Sequence, residues 1–105
     1  YSKRLRHPQI RTPLEKGAGK HVYHQYTILV SDRERVQKAL QEAGIASAVY
    51  YPIPLHRQEV YRGSLNHVTL PVTEDAAQKV LSLPIYPELT REQIERISAV
   101  VLQAL

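Results

Sequence analysis

Cysteine is absent from the 105 residues, which removes disulfides and thiolate metal ligands from consideration. That absence suits a reducing compartment, and the expected localisation is cytoplasmic. Methionine is absent as well, position one included, so the sequence reads as a processed chain or an excised piece. No apolar run approaches the roughly 20 residues that span a bilayer, and Tyr1-Ser2-Lys3-Arg4 lacks the apolar stretch of a secretory signal, so no membrane partner is expected. Phenylalanine and tryptophan are missing too. All seven aromatic residues are therefore tyrosines, each offering a ring for packing and a hydroxyl for polar contact.

What is present fits one domain with one modest core. Apolar residues make up 43% and charged residues 23%, an ordinary globular balance. The net charge of +4 is unevenly spread: Lys3, Arg4, Arg6, Arg11, Lys16 and Lys20 face only Glu15 in the first twenty positions. Residues 1–20, with Pro8, Pro13, Gly17 and Gly19, read as a basic, irregular lead-in or linker rather than a grip on nucleic acid. Residues 21–105 form the folded domain.

From His21 to Val30 the residues alternate, placing Val22, His24, Tyr26, Ile28 and Val30 on the apolar side of a strand. Ser31 with Glu34 has capping-box spacing, Val36, Ala39, Leu40 and Ala43 recur at helical spacing, and Gly44 is the stop. Ile45 to Tyr51 reads as a second strand ended by Pro52 and Pro54. A helical turn is expected over His56–Arg62, a short helix opening at Thr73, and a third strand over Val80–Leu83. Thr90 and Gln93 form a second capping box, which starts a terminal helix bearing Ile94, Ile97, Val101 and Leu105 on one face. This order predicts a small α/β (α+β) two-layer sandwich, a sheet of about three strands packed by helices, with strand–helix–strand units crossing over right-handed.

Few residues are placed for chemistry. His21 and His24 point to opposite faces of a strand and cannot chelate together, so no metal site is expected, and His24 reads as an interior histidine. Lys16-Gly17-Ala18-Gly19-Lys20 lacks P-loop spacing, and no serine has a nucleophile-elbow context. None of the lysines at 3, 16, 20, 38 and 79 has the buried strand-end setting of a Schiff-base amine. Tyr23 is exposed by parity, whereas Tyr26 and Tyr86 suit the core and its rim. The segment Tyr50-Tyr51-Pro52-Ile53-Pro54-Leu55-His56-Arg57-Gln58 stands apart. Two prolines stiffen it beneath a dense set of polar rings, which suits either a ligand platform or a stiff connector.

His21-Val22-Tyr23-His24-Gln25-Tyr26-Thr27-Ile28, Gly44-Ile45, Tyr51-Pro52-Ile53-Pro54-Leu55-His56-Arg57-Gln58 with Tyr61, Leu81-Ser82-Leu83-Pro84 and Leu89-Thr90-Arg91-Glu92-Gln93-Ile94 follow one another in a specific order. The series resembles the C-terminal region of the DegT/DnrJ/StrS sugar aminotransferases over about residues 20–105. The resemblance implies the C-terminal small domain of a fold-type-I enzyme, normally a dimer. That enzyme uses pyridoxal 5'-phosphate to move an amino group, usually from L-glutamate, to a keto sugar nucleotide in amino-sugar and surface-polysaccharide biosynthesis. The Schiff-base lysine and the cofactor contacts would belong to an upstream large domain. This part would therefore supply no catalytic, cofactor-binding or metal-binding residue and would be inactive alone. Tyr51 and His56, then Tyr50 and Gln58, would contact the substrate. The Tyr-Pro-x-Pro-x-His form looks closer to members acting on 3-keto than on 4-keto sugars. Arg62–Leu70 departs from the familiar pattern. Two other readings compete: a free-standing nucleic-acid-binding module using the basic lead-in and Tyr23, and a purely structural dimerisation lobe.

Overall fold

The computed structural model describes residues 1–17 and 19–105; Ala18, within the basic lead-in and its glycine-rich stretch, lies outside the described residues. Three strands, β1 (Ile10–Arg11), β2 (Tyr26–Val30) and β3 (Val80–Leu83), form one antiparallel sheet with β2 in the middle. Tyr26, Ile28 and Val30 point to one face of β2 and are buried, as a two-residue side-chain period requires. Leu83 and Leu81 stand opposite Tyr26 and Ile28, so they share that face. Helices α1 (Arg33–Glu42) and α3 (Arg91–Gln103) cover it with Val36, Leu40, Ile97 and Val101. Helix α2 (Pro71–Lys79) runs directly into β3. The result is the expected small sheet packed by helices.

Several boundaries differ from the sequence expectation. The first long strand begins at Tyr26, not His21. Tyr23 adopts φ 49°, the left-handed region, and its N–H donates to His21 Nδ1 at 2.9 Å, so the chain turns here. Val22 and His24 are consequently exposed, and His24 is not an interior histidine. The α1 cap is Asp32, whose side chain accepts from the Arg35 N–H, one residue after the expected Ser31. Gly44 does end α1, with φ 69°. The Gly44 and Ile45 N–H groups bond back to Gln41 and Leu40 in the pairing that closes a Schellman motif. Helix α2 starts at Pro71 rather than Thr73, since proline at the first helical position has no N–H to leave unpaired. The Thr90–Gln93 capping box is fully formed, a feature whose hydroxyl half contributes about 1 kcal/mol.

Ile45–Tyr51 is not a strand. It makes a single antiparallel bridge, with Ala48 and Ser82 exchanging bonds of 2.7 and 3.1 Å. The next β3-side residue facing that edge is Pro84, which has no N–H, and its carbonyl is taken by the Tyr1 hydroxyl at 2.8 Å. No parallel strand–helix–strand unit results, so the crossover rule has nothing to act on. The lead-in is also less irregular than expected. Ile10 and Arg11 pair with β2, while Leu5 and Ile10 are buried in the core. Their side chains join the same cluster as Ile97 and Val101 of α3, whose Glu95 pairs with Arg4, so the lead-in helps to complete the core.

Candidate functional site

Past the Ala48 bridge, the prolines decide the backbone. Pro54 is extended (φ −59°, ψ 147°), a 3₁₀ turn covers Leu55–Arg57, Gln58 is extended again, and a second 3₁₀ turn covers Glu59–Tyr61. The expected helical turn over His56–Arg62 is thus present as two short pieces. Their ends are closed by Arg57 N–H to Pro54 O and Tyr61 N–H to Gln58 O, both at 2.9 Å. The Tyr50–Tyr51 peptide is cis.

Tyr50, Tyr51 and Gln58 line one open hollow of about 390 Å³, walled on the other side by Val72, Thr73 and Ala76 of α2. Tyr51 is 73% exposed at its rim. His56 is not in this hollow. It is buried and borders a separate space of about 340 Å³ with Arg57, Arg62 and Asn66; Gln58 touches both. The structure therefore gathers three of the four candidate substrate residues and places the fourth behind them.

What holds His56 is Glu74, in the short helix that the sequence placed from Thr73. Oε1 of Glu74 lies 2.8 Å from His56 Nε2, 3.0 Å from Arg57 Nη2 and 3.2 Å from the Leu70 amide nitrogen. An ionised carboxylate only accepts, so the imidazole proton sits on Nε2. These three donors, His56 foremost, then the Leu70 amide and Arg57, pull the Glu74 carboxyl down to about 2. Glu74 is eighteen positions from His56, and no local pattern joins them. The available signal was Leu70-Pro71, which starts a helix without a side-chain cap and leaves an amide for a nearby carboxylate to satisfy.

The lysines are placed elsewhere. Lys79 pairs with Asp75, Lys38 is 3.9 Å from Glu42, and among the described residues no lysine borders either hollow. This chain's residues accordingly do not fit a covalently held carbonyl cofactor at the site. No group of three or more His, Asp or Glu suited to a metal ion occurs among the described residues. No helix is long and apolar enough to cross a membrane.

A third hollow, of about 710 Å³, gathers Lys3, Arg4, Arg91, Tyr23 and Tyr26. Tyr23, expected to be exposed, is half-buried between the His21 ring at 4.1 Å and the Tyr26 ring at 5.6 Å. The chain's own rings thus stack on Tyr23 where a base would have to. Arg4 is paired with Glu95. Tyr26 is in the core, with burial raising its hydroxyl above the ordinary value, and Tyr86 lies on the rim.

The family model described as DegT/DnrJ/EryC1/StrS aminotransferase matches residues 1–102. Over all 105 residues the chain is 42% identical to a UDP-N-acetyl-3-dehydro-alpha-D-glucosamine 3-aminotransferase of Acidithiobacillus ferrooxidans, covering 28% of that protein. It is 50% identical over 84 residues to a pleiotropic regulatory protein of Geobacillus stearothermophilus, covering 78% of this chain and 22% of that one. Among solved structures, S. venezuelae DesV in complex with a ketimine intermediate superposes with a TM-score of 0.86. The two are 33% identical, over 97% of this chain and 28% of the other. The chain thus spans about a quarter of the length of the relatives it matches.

Proposed function

Because the chain belongs to the DegT/DnrJ/EryC1/StrS aminotransferase family, we propose that it works as the C-terminal small lobe of a longer sugar-nucleotide aminotransferase. The lobe includes the lead-in, since β1 pairs with β2 and Leu5 and Ile10 lie in its core, and it follows an upstream large domain. In that enzyme pyridoxal 5'-phosphate acts as the electron sink, held by the large domain and its lysine. The amino group passes from L-glutamate to the keto group of a nucleotide-linked sugar, in the cytoplasm, on a route to amino sugars of surface polysaccharides. A keto group at C3 is favoured, since the Acidithiobacillus relative is named for a 3-dehydro sugar and a 3-aminotransferase.

The observation that carries this reading is the hollow itself. Tyr50, Tyr51, Gln58 and Thr73 border it amid apolar side chains, among the described residues no lysine lines it, and prolines frame the backbone beside it. Such a wall can bind and orient a polar substrate against chemistry supplied from elsewhere. Tyr51, Gln58 and Tyr50 contact the sugar nucleotide in this assignment, and His56 acts from beneath them. The outer surface supports a partner domain or a second subunit in a homodimer. Val60 is 78% exposed, and Ile53, Leu55 and Val72 of the hollow's own lining are 55%, 71% and 83% exposed, so the partner would close over the hollow and its rim.

The test is a comparison of two proteins. The 105-residue chain is incubated with pyridoxal phosphate, L-glutamate and a 3-keto sugar nucleotide, beside the longer protein that contains it. Turnover by the longer protein and none by the chain is expected. Steady turnover by the chain alone, abolished by replacing one of its lysines, contradicts the proposal.

A further inference from the structure

We infer that Glu74 is a positioning residue for the sugar-nucleotide reaction: its carboxylate fixes the Tyr51–Gln58 loop in the shape that the substrate meets. The inference rests on the functional reading above and assigns a role to a residue outside the predicted substrate set.

The loop has little else to hold it. Tyr51, Ile53 and Leu55 are exposed, so burial of apolar surface does not fasten it. Its own hydrogen bonds, such as Gln58 N–H to Leu55 O at 3.1 Å, are local and set curvature without tying the loop to the scaffold. The tie is polar. Glu74 sits in the first turn of α2, which passes without interruption into β3, where Leu81, Ser82 and Leu83 are buried. From that anchored position a single oxygen accepts from His56, from Arg57 and from the Leu70 amide, so the loop and the start of α2 are joined at one point. The His56 side chain is 5% exposed, while Gln58, two residues on, borders the substrate hollow. Loosening His56 and Arg57 therefore displaces Gln58 directly, and Tyr51 through the short proline-stiffened stretch between them.

Glu74 is poorly suited to act as a proton donor. A carboxyl surrounded by three donors stays ionised at neutral pH, and it lines neither hollow. Its role is geometric. Charge is part of that role, because a carboxylate receives the His56 and Arg57 bonds more strongly than a neutral amide does.

Glu74→Gln keeps the side chain's size and one acceptor oxygen but removes the charge; Glu74→Asp keeps the charge and shortens the reach. In the longer aminotransferase, Glu74→Gln is expected to raise the KM for the keto sugar nucleotide about tenfold, with the KM for glutamate unchanged and the Asp variant partly restored. In the 105-residue chain, hydrogen exchange at the Arg57 and Gln58 amides should quicken in Glu74→Gln, while the paired β2 and β3 amides stay protected. An unchanged sugar-nucleotide KM alongside a lowered unfolding temperature reduces Glu74 to a stability role and overturns the inference. Unchanged exchange at Arg57 and Gln58 overturns it as well. A wild-type protein that carries no amino group from glutamate defeats the functional reading itself, and is distinguished by failing before any substitution is made.

Discussion

In the sheet-and-helix half of the chain, Ile28, Leu40, Leu81 and Val101 have no solvent exposure at all, whereas between Tyr50 and Leu70 only His56 is buried. The first region is held by the burial of apolar surface, which is strong, non-directional and tolerant of small shifts. The second is held by a few charge-assisted hydrogen bonds that meet at Glu74. Such bonds fix position well and contribute little to overall stability. A small chain can thus keep a stable scaffold and, on one side of it, a loop whose geometry matters more than its packing.

The largest expected effect falls on the scaffold. Leu81→Ala removes a fully buried side chain and should destabilise the chain by about 2–5 kcal/mol, read as a lower urea midpoint. That loss is a large share of the total stability of a domain this size. A midpoint no lower than that of an exposed loop substitution breaks the comparison.

Acid provides a gentler probe of the other region. The Glu74 carboxyl is lowered from an ordinary value of 4.5 to about 2 by His56, the Leu70 amide and Arg57. A depressed folded-state value means that its stabilising contribution is complete above the unfolded value and fades as pH falls from about 4.5 through about 2. Carboxyl carbon shifts followed by NMR should show Glu74 titrating well below 4.5, with loop resonances broadening in that window. A Glu74 midpoint near 4.5 removes the clamp.

The difference between the regions also explains what could be read in advance. Tyr26, Ile28 and Val30, the Gly44 stop, strand Val80–Leu83 and the Thr90–Gln93 box were all legible, because alternation and capping are local properties of neighbouring residues. The start of β2 was misplaced because nothing local announces a left-handed Tyr23. Ile45–Tyr51 has a strand's composition, but its pairing is limited by Pro84 on a distant segment. Leu5 and Ile10 looked like part of a solvated tail, since six basic residues surround a few apolar ones whose partners lie on other elements. At the site, the proline frame singled out Tyr50, Tyr51, His56 and Gln58, yet it could not separate the three that line the hollow from the one beneath it. Glu74 was only partly in reach: the Leu70 amide lies four residues away, but His56 and Arg57 meet it only in the folded chain.

The claim that matters most is that the loop meets substrate, and Tyr51→Ala in the longer aminotransferase tests it most directly. Tyr51 is 73% exposed in the isolated lobe, so its loss should change stability by less than about 0.5 kcal/mol. The expected result is a sugar-nucleotide KM raised about tenfold or more, with an unfolding midpoint close to that of the wild type. A lowered midpoint with KM and kcat both unchanged contradicts it, and would make this face a seam between subunits with no part in binding the sugar.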